Sequence, residues 1–395
     1  MLERAYGRKA PYPIPDSELE RRWAAVRAVL AEEGADVLLV SGATLDSGGY
    51  VRWFTDIPPN NTSTVLFPRT GGMTWIASGN PERPGPAPEL CRGIATRLSA
   101  PFFRTIHCTE RYDADLAVKA LKDLGAKRIG FCNLGRMDAS FYRHLVDGLP
   151  GREFVDLTDR IDAIKAVKSE AELVYVRAAM DLHDKVLEAT TAFIRPGRVL
   201  GEVRNDVYHL ACELGSEGQM VLLLGSAPMG TPCIFGPFPE QNRRIEQGDH
   251  VLVMLESSGP GGFFAEMGRY WCIGEPPRAL VHAWDAARAA ALAAADACRA
   301  GVSPMDPVRA ANAVLADRGY GPEGRILGHG QGYDYMEPPA LLPDERLRLA
   351  PGMNLAIHTT AASPEANAFS CDNYLVQPAG GATRMQRMPQ ELIVL

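Results

Sequence analysis

Apolar and polar residues alternate along this 395-residue chain in two successive arrangements. In the first, Ser17-x-x-Glu20 has the form of a capping box, and Leu19, Trp23, Val26 and Leu30 follow at helical spacing until Gly34. Ala35–Ser41 is a short apolar run of the kind a buried strand needs. Thr64–Phe67 and Met73–Ser78 flank Arg69-Thr-Gly-Gly72, a hairpin signal. Asp115–Leu124 then reads as a helix and Arg128–Cys132 as a strand. Residues 1–16, irregular and punctuated by proline, predict an arm lying on the surface or on a partner subunit. Helix and strand alternating in this way predict an α/β domain over residues 1–163.

The second arrangement opens at Lys168. Ser169-x-x-Glu172 is another capping box, heading a long helix that Pro196-Gly197 closes, and a further helix runs to about Leu214. Strand-like runs follow at Met220–Gly225, His250–Glu256 and Phe263–Ile273. The alanine-rich stretch 279–300 is helical and stops at Gly301. Asp306-Pro307 predicts an N-cap and first-turn proline for a helix ending at Gly319. Strands return at Asn354–Thr359 and Asn373–Gln377. Two helix pairs, each followed by antiparallel-looking strands, predict an α+β domain over residues 164–395.

Composition narrows the function. The formal net charge is −7 and no Lys/Arg-rich block occurs, which argues against a nucleic-acid partner. No apolar run reaches the about 20 residues of a membrane span, and no apolar stretch follows the basic residues near the N-terminus. A cytoplasmic enzyme is the expectation. The eight cysteines (Cys91, Cys108, Cys132, Cys212, Cys233, Cys272, Cys298 and Cys371) form no Cys-x-x-Cys pair and no zinc-ribbon spacing. All but Cys371 are expected to be reduced, mostly buried thiols.

Four motifs stand in order in the second half. Gly248-Asp249 opens a strand, and Gly262-Phe-Phe-x-Glu266-x-x-Arg269 follows it. Gly328-His-Gly-Gln-Gly332 precedes Glu337-Pro-Pro339, Pro351-Gly352-Met353 leads to His358, and Phe369–Val376 closes the set. Together they resemble the pita-bread family of aminopeptidase P, prolidase and creatinase over residues 165–395. Residues 17–160 resemble the N-terminal domain those proteins share. The resemblance implies a creatinase-like α/β N-terminal domain, a pita-bread α+β C-terminal domain and a homodimer.

The family's peptidases hold two divalent ions with two Asp, one His and two Glu. Carried over by position, this chain offers Met254, Glu266, His329, His358 and Cys371. A thioether replaces the first carboxylate, and imidazole and thiol replace the last two, so a pair of hard ions lacks oxygen donors. The departure implies the creatinase and ectoine hydrolase branch: metal-independent hydrolysis of a C–N bond in a small, cationic or cyclic metabolite, without a cofactor. One alternative is a Xaa-Pro metallopeptidase or small-molecule lyase with a single Zn²⁺ or other divalent ion on Glu266, His329, His358 and Cys371. Another is a non-catalytic binding protein of the same fold.

Individual residues sharpen the expectation. His329, between glycines that permit close backbone approach, is read as the proton shuttle. His358 follows an apolar run and reads equally as a site residue or a satisfied core residue. Glu256 and Glu266, ten residues apart on consecutive strands, can point into one cleft and act on water or a cationic group. Glu337 matches the family residue before the proline pair and is expected to act with them. Phe263, Phe264, Tyr333 and Tyr335 are candidate pocket walls, with Asp334 and Trp53 as further substrate contacts. Asp334 and Asp372 are expected to orient the histidines, and Arg269 to form an ion pair behind the site.

Overall fold

The computed structural model describes residues 2–4, 10–42, 48–58, 62–80, 82, 85–86, 91–101, 111–235 and 242–395. Residues 1 and 5–9 of the predicted arm and Cys108 lie outside the described residues. The chain divides into two compact units, Glu3–Lys165 and Ala166–Leu395.

The first unit contains α1 (Asp16–Glu32), β1 (Val37–Gly42), α2 (Gly48–Thr55), β2 (Ser63–Pro68), β3 (Met73–Ser78), β4 (Gly85–Pro86) and β5 (Ile94–Ala100). It continues through α3 (Arg111–Asp123), β6 (Arg128–Cys132), α4 (Ala139–Gly148), β7 (Glu153–Asp156) and α5 (Thr158–Ala166), the last of which ends at the unit boundary. Its strands form one mixed sheet in the order β4-β5-β3-β2-β1-β6-β7. β1 lies between an antiparallel β2 and a parallel β6, is buried along its whole length, and accordingly reads as an unbroken apolar run. Ala114, Ala117, Val118 and Leu121 of α3 cover it together with Phe141 and Leu145 of α4. The capping box expected at Ser17 does not form. Pro15 occupies the N-cap position without a side-chain hydrogen bond, so the helix starts at Asp16 and Ser17 falls inside its first turn.

The second unit contains α6 (Glu170–Phe193), α7 (Leu200–Glu213), β8 (Met220–Pro228), β9 (Asp249–Ser258), β10 (Phe264–Cys272), α8 (Arg278–Ala297) and α9 (Met305–Asp317). Then follow β11 (Gly328–Gly330), β12 (Glu337–Ala340), β13 (Asn354–Ala362), β14 (Asn367–Leu375), β15 (Thr383–Arg384) and β16 (Ile393–Val394). The capping box of α6 is complete: Ser169 Oγ accepts from Glu172 N at 3.1 Å, and Glu172 Oε2 accepts from Ser169 N at 2.8 Å. Before α9, Asp306 lies within the helix rather than capping it, because the chain turns at Pro304 and Asp306 folds back to accept from Ser303 N.

The strands form a nine-stranded sheet in the order β12-β11-β13-β14-β10-β9-β8, with β15 on β14 and β16 on β10. Period-two alternation divides its side chains between two faces. Val253, Leu255 and Met267 join the apolar cluster of α6 and α7, which turns Glu256 and Glu266 to the other face. On β13, Thr359 donates to the Ala287 carbonyl of α8 at 2.6 Å, so His358 points away from that helix. The alanines of α8 (Ala283, Ala287, Ala290, Ala291, Ala294) leave no bulk between helix and sheet.

Behind β10 and β14, the fully buried guanidinium of Arg269 meets Asp372 Oδ1 at 2.8 Å and donates to the carbonyls of Gly268, Cys371, Met388 and Pro389. Asp372 also accepts from Arg384 and Gln390. The expected ion pair behind the site is therefore present. The expectation that Asp372 orients a histidine is corrected, because alternation puts it on the face opposite Cys371. Each guanidinium nitrogen of Arg269 and each carboxylate oxygen of Asp372 is engaged, and removal of one partner would leave a buried charge uncompensated. We expect Asp372→Ala to lose about 3–5 kcal/mol of stability, measured by urea unfolding.

Candidate metal centre

Three buried donors converge on the face that the helices leave free. Glu266 on β10, His329 on β11 and His358 on β13 each offer a ligand atom, and these atoms lie within 4.8 Å of one another. His329 Nε2 is 3.6 Å from Glu266 Oε2, and the two imidazole centroids are 5.5 Å apart. The register of β13, β14 and β10 sets Cys371 opposite both His358 and Gly268.

The lone pairs point the way a metal ligand requires. His329 Nδ1 is 3.1 Å from the Gly330 carbonyl, which can only accept, so Nδ1 carries the proton and the lone pair of a neutral ring sits on Nε2. A backbone carbonyl holding the second ring nitrogen is the usual support of a ligating histidine. Glu266 Oε2 and His358 Nδ1 are buried without a hydrogen-bond partner among the described residues. Two donors about 2.1 Å from one tetrahedral ion stand about 3.4 Å apart, close to the Nε2 to Oε2 separation. The donor set fits a single divalent ion. It does not fit two, because Met254 lies in an apolar cluster with Leu252 and Tyr270 and supplies no bridging oxygen.

Burial governs the electrostatics. It raises the Glu266 carboxyl above its ordinary range, against the opposing effects of His329 and of a hydrogen bond from Cys371. Glu256, which pairs with Glu266 in the β9–β10 register, is pushed well up by burial and then by the charge of Glu266. Burial holds the His358 imidazole well below its usual value, with His329 and Arg325 acting in the same direction. It also keeps Cys371 a thiol, and the nearby Glu266 carboxylate adds to that effect. Cys371 thus donates to Glu266 and stands outside the converging set.

The remaining predicted residues take different places. Glu337 accepts from Lys168 Nζ at 3.1 Å and from Asp334 N at 3.2 Å, so it anchors the loop after His329 rather than joining the donors. Asp334 belongs to that loop. Phe263 packs between Tyr175 and Tyr333, and Phe264 lies 6.4 Å from Tyr335. Trp53 is buried in the first unit, with Arg22 over its ring. The glycines beside His329 serve strand packing rather than ligand approach: a Cβ on Gly328 would lie 2.3 Å from the Ala356 carbonyl oxygen, and one on Gly330 2.5 Å from that of Pro338. Among the described cysteines, Cys212 on α7 is exposed and the other six are buried.

Sequence reasoning passed over Gln331, whose Nε2 donates to Glu256 Oε1 at 2.7 Å, and Asn373, whose Nδ2 donates to Gln331 at 2.7 Å. Their signal was present in polar residues at alternate positions of strands otherwise apolar on that face. Arg325 was missed as well. It donates to Thr360 at 2.6 Å and lies over Phe369, which stacks on His358.

The chain matches metallopeptidase family M24 over residues 174–379, just over half its length, and belongs to that family. The probable dipeptidase PepE of Mycobacterium tuberculosis is 28% identical over 239 residues, 60% of this chain and 63% of that protein. The chain thus spans about 63% of the mycobacterial relatives' length. The Xaa-Pro dipeptidase of Pyrococcus horikoshii is 23% identical over 93% of this chain and 95% of its own. In fold, the chain is similar to a Xaa-Pro dipeptidase from Bacillus anthracis, with TM-score 0.77, 21% identity, and coverage of 95% and 100%. The pita-bread fold and a hydrolase family acting on C–N bonds agree with expectation.

The metal-independent, creatinase-like reading with no cofactor is overturned. The family is one of metallopeptidases, its named relatives here are dipeptidases, and Glu266, His329 and His358 converge as donors. The donor types weigh against a pair of hard ions, yet the imidazole of His358 still completes a three-donor set for a single one.

A carboxyl whose folded pKa is raised has its stabilising contribution below its unfolded pKa and loses it as pH rises toward the folded value. For Glu256 that loss begins near the ordinary value of 4.5. In metal-free protein, the thermal midpoint of Glu256→Gln should exceed that of the parent by a margin that widens between about pH 5 and pH 8. Scanning calorimetry at several pH values measures it, and a margin independent of pH would contradict the burial of an ionisable Glu256.

Proposed function

We propose that this chain is a cytoplasmic, metal-dependent hydrolase that cleaves a small dipeptide of the Xaa-Pro kind, using one divalent ion held by Glu266, His329 and His358. The observation that carries it is the convergence of three buried donors, with Glu266 Oε2 and His358 Nδ1 lacking a hydrogen-bond partner among the described residues. The dipeptidase names of the relatives support the substrate class. Among the described residues no helix is long and apolar enough to cross a membrane, and Cys132, Cys233, Cys272, Cys298 and Cys371 are buried free thiols, which supports a cytoplasmic setting. A homodimer, which light scattering measures, is part of the same reading through the family resemblance.

When bound, the ion polarises the scissile carbonyl and stabilises the charge that develops on it. The chain supplies the rest. Glu256, held at Oε1 by Gln331, receives a proton from the attacking water and returns it to the leaving nitrogen. Phe263, Phe264, Tyr333 and Tyr335 provide apolar surface for a proline ring.

Elemental analysis of protein purified without added metal should find one divalent ion per chain. Chelation should abolish hydrolysis of Xaa-Pro dipeptides, and one equivalent of ion should restore it. His329→Ala should lose the ion and lower kcat/KM by more than about 100-fold, beyond what loss of a supporting partner costs. Full activity after exhaustive chelation, or two ions per chain, would sink this reading.

A further inference from the structure

Two backbone N–H groups, which can only donate, set the direction of a buried chain of carboxamides. Glu266 N donates to Asn373 Oδ1 at 2.8 Å, and Asn373 N donates to Gln386 Oε1 at 2.8 Å. With its oxygen so fixed, Gln386 turns Nε2 to the Glu266 carbonyl at 3.0 Å and to Asn373 Oδ1 at 2.9 Å. Asn373 must then present Nδ2 to Gln331 Oε1 at 2.7 Å and to Asn354 Oδ1 at 3.3 Å. Gln331, with its oxygen engaged, aims Nε2 at Glu256 Oε1 at 2.7 Å. Gln331, Asn354, Asn373 and Gln386 are all buried, and flipping any one amide would set donor against donor or acceptor against acceptor.

The direction has a consequence at the site. A donor is obliged to face Glu256, so one oxygen of this carboxylate is tied as an acceptor, and Glu256 is held opposite Glu266. Met254, two residues earlier on the same strand, carries no oxygen and lies in the apolar core. We propose that Gln331 is a positioning residue: through the chain that begins at the Glu266 amide, it holds Glu256 so that this carboxylate supplies the oxygen chemistry beside the donors that position 254 lacks. The proposal rests on reading the cluster as a single-ion centre. The same residue, Asn373, registers Glu266 and, through Gln331, Glu256, so the two carboxylates are fixed relative to each other.

The test uses the full-length protein carrying one equivalent of Zn²⁺, with Gln331→Leu and the exchanged pair Glu256→Gln/Gln331→Glu. In the exchange, the amide at 256 donates to a carboxylate at 331 that still accepts from Asn373, so the hydrogen bonds survive while the carboxylate moves. Gln331→Leu should retain one ion per chain and lower kcat by up to about 100-fold, with KM changed by less than about threefold. The exchanged pair should recover the thermal midpoint lost in Gln331→Leu but not kcat, because the carboxylate has left position 256; the kcat loss in Gln331→Leu with Glu256 in place is what a purely structural hydrogen bond does not predict.

Recovery of kcat by the exchange, or a kcat for Gln331→Leu within about threefold of the parent, would overturn the proposal. If Gln331→Leu does not fold, the exchanged pair decides alone: a parent-like midpoint with kcat depressed supports it, and any other result overturns it. A parent protein that binds one ion but hydrolyses no dipeptide sinks the dipeptidase reading instead. The hydrogen-bond chain is then judged by the midpoint of the exchanged pair, and a midpoint that stays low overturns it.

Discussion

Opposite each other in the register of β9 and β10, Glu256 and Glu266 bring two carboxylates together inside the protein. Side chains so paired stand about 5 Å apart. Two like charges at that spacing repel by about 3 kcal/mol at an effective dielectric near 20, before any desolvation. The neighbouring groups answer that cost one at a time. Gln331 donates to Glu256, Cys371 donates to Glu266, and His329 Nε2 stands 3.6 Å from Glu266 Oε2. Glu266 Oε2 is nonetheless left without a hydrogen bond among the described residues, an orphaned acceptor of the kind a cation would satisfy.

The sheet keeps this arrangement apart from its own stabilisation. Alternation along β10 and β14 sends Glu266 and Cys371 to one face and Arg269 and Asp372 to the other. The buried ion pair then closes the back of the sheet and ties it to the segment 384–390, while the front remains available for chemistry. Lys168 and Glu337 do similar work for the loop that follows His329, joining it to the start of the capped helix α6. Stability and reactivity are thus assigned to separate charged groups.

On the proposed reading, the substitutions at the family's metal positions change the number of ions more than the presence of one. Losing the oxygen at position 254 removes the bridge between two ions. Replacing a carboxylate by imidazole at position 358 keeps a lone pair and removes a negative charge. A neutral donor is easier to bury, and the lowered pKa of His358 keeps that lone pair free. The centre that results has one carboxylate and two imidazoles, a set suited to a borderline ion such as Zn²⁺.

Much of this was legible in the chain. The capping box at Ser169, the β2–β3 hairpin, the alternating strands and the order of the four motifs all reflect local rules, so the elements of each half could be read directly, with Glu256, Glu266, His329 and His358 as candidates. Pro15 displaced the expected cap at Ser17, and the turn at Pro304 displaced the one at Asp306, because a proline's fixed φ outweighs a side-chain hydrogen bond. What sequence could not supply was direction across strands. Whether His358 faced the site or the core depended on Thr359 docking against Ala287, and whether Glu337 joined the donors depended on Lys168. Chain identity determined which donors exist; only the pairing of β9, β10, β11, β13 and β14 decided which lone pairs meet, because convergence is set by register between strands far apart in sequence.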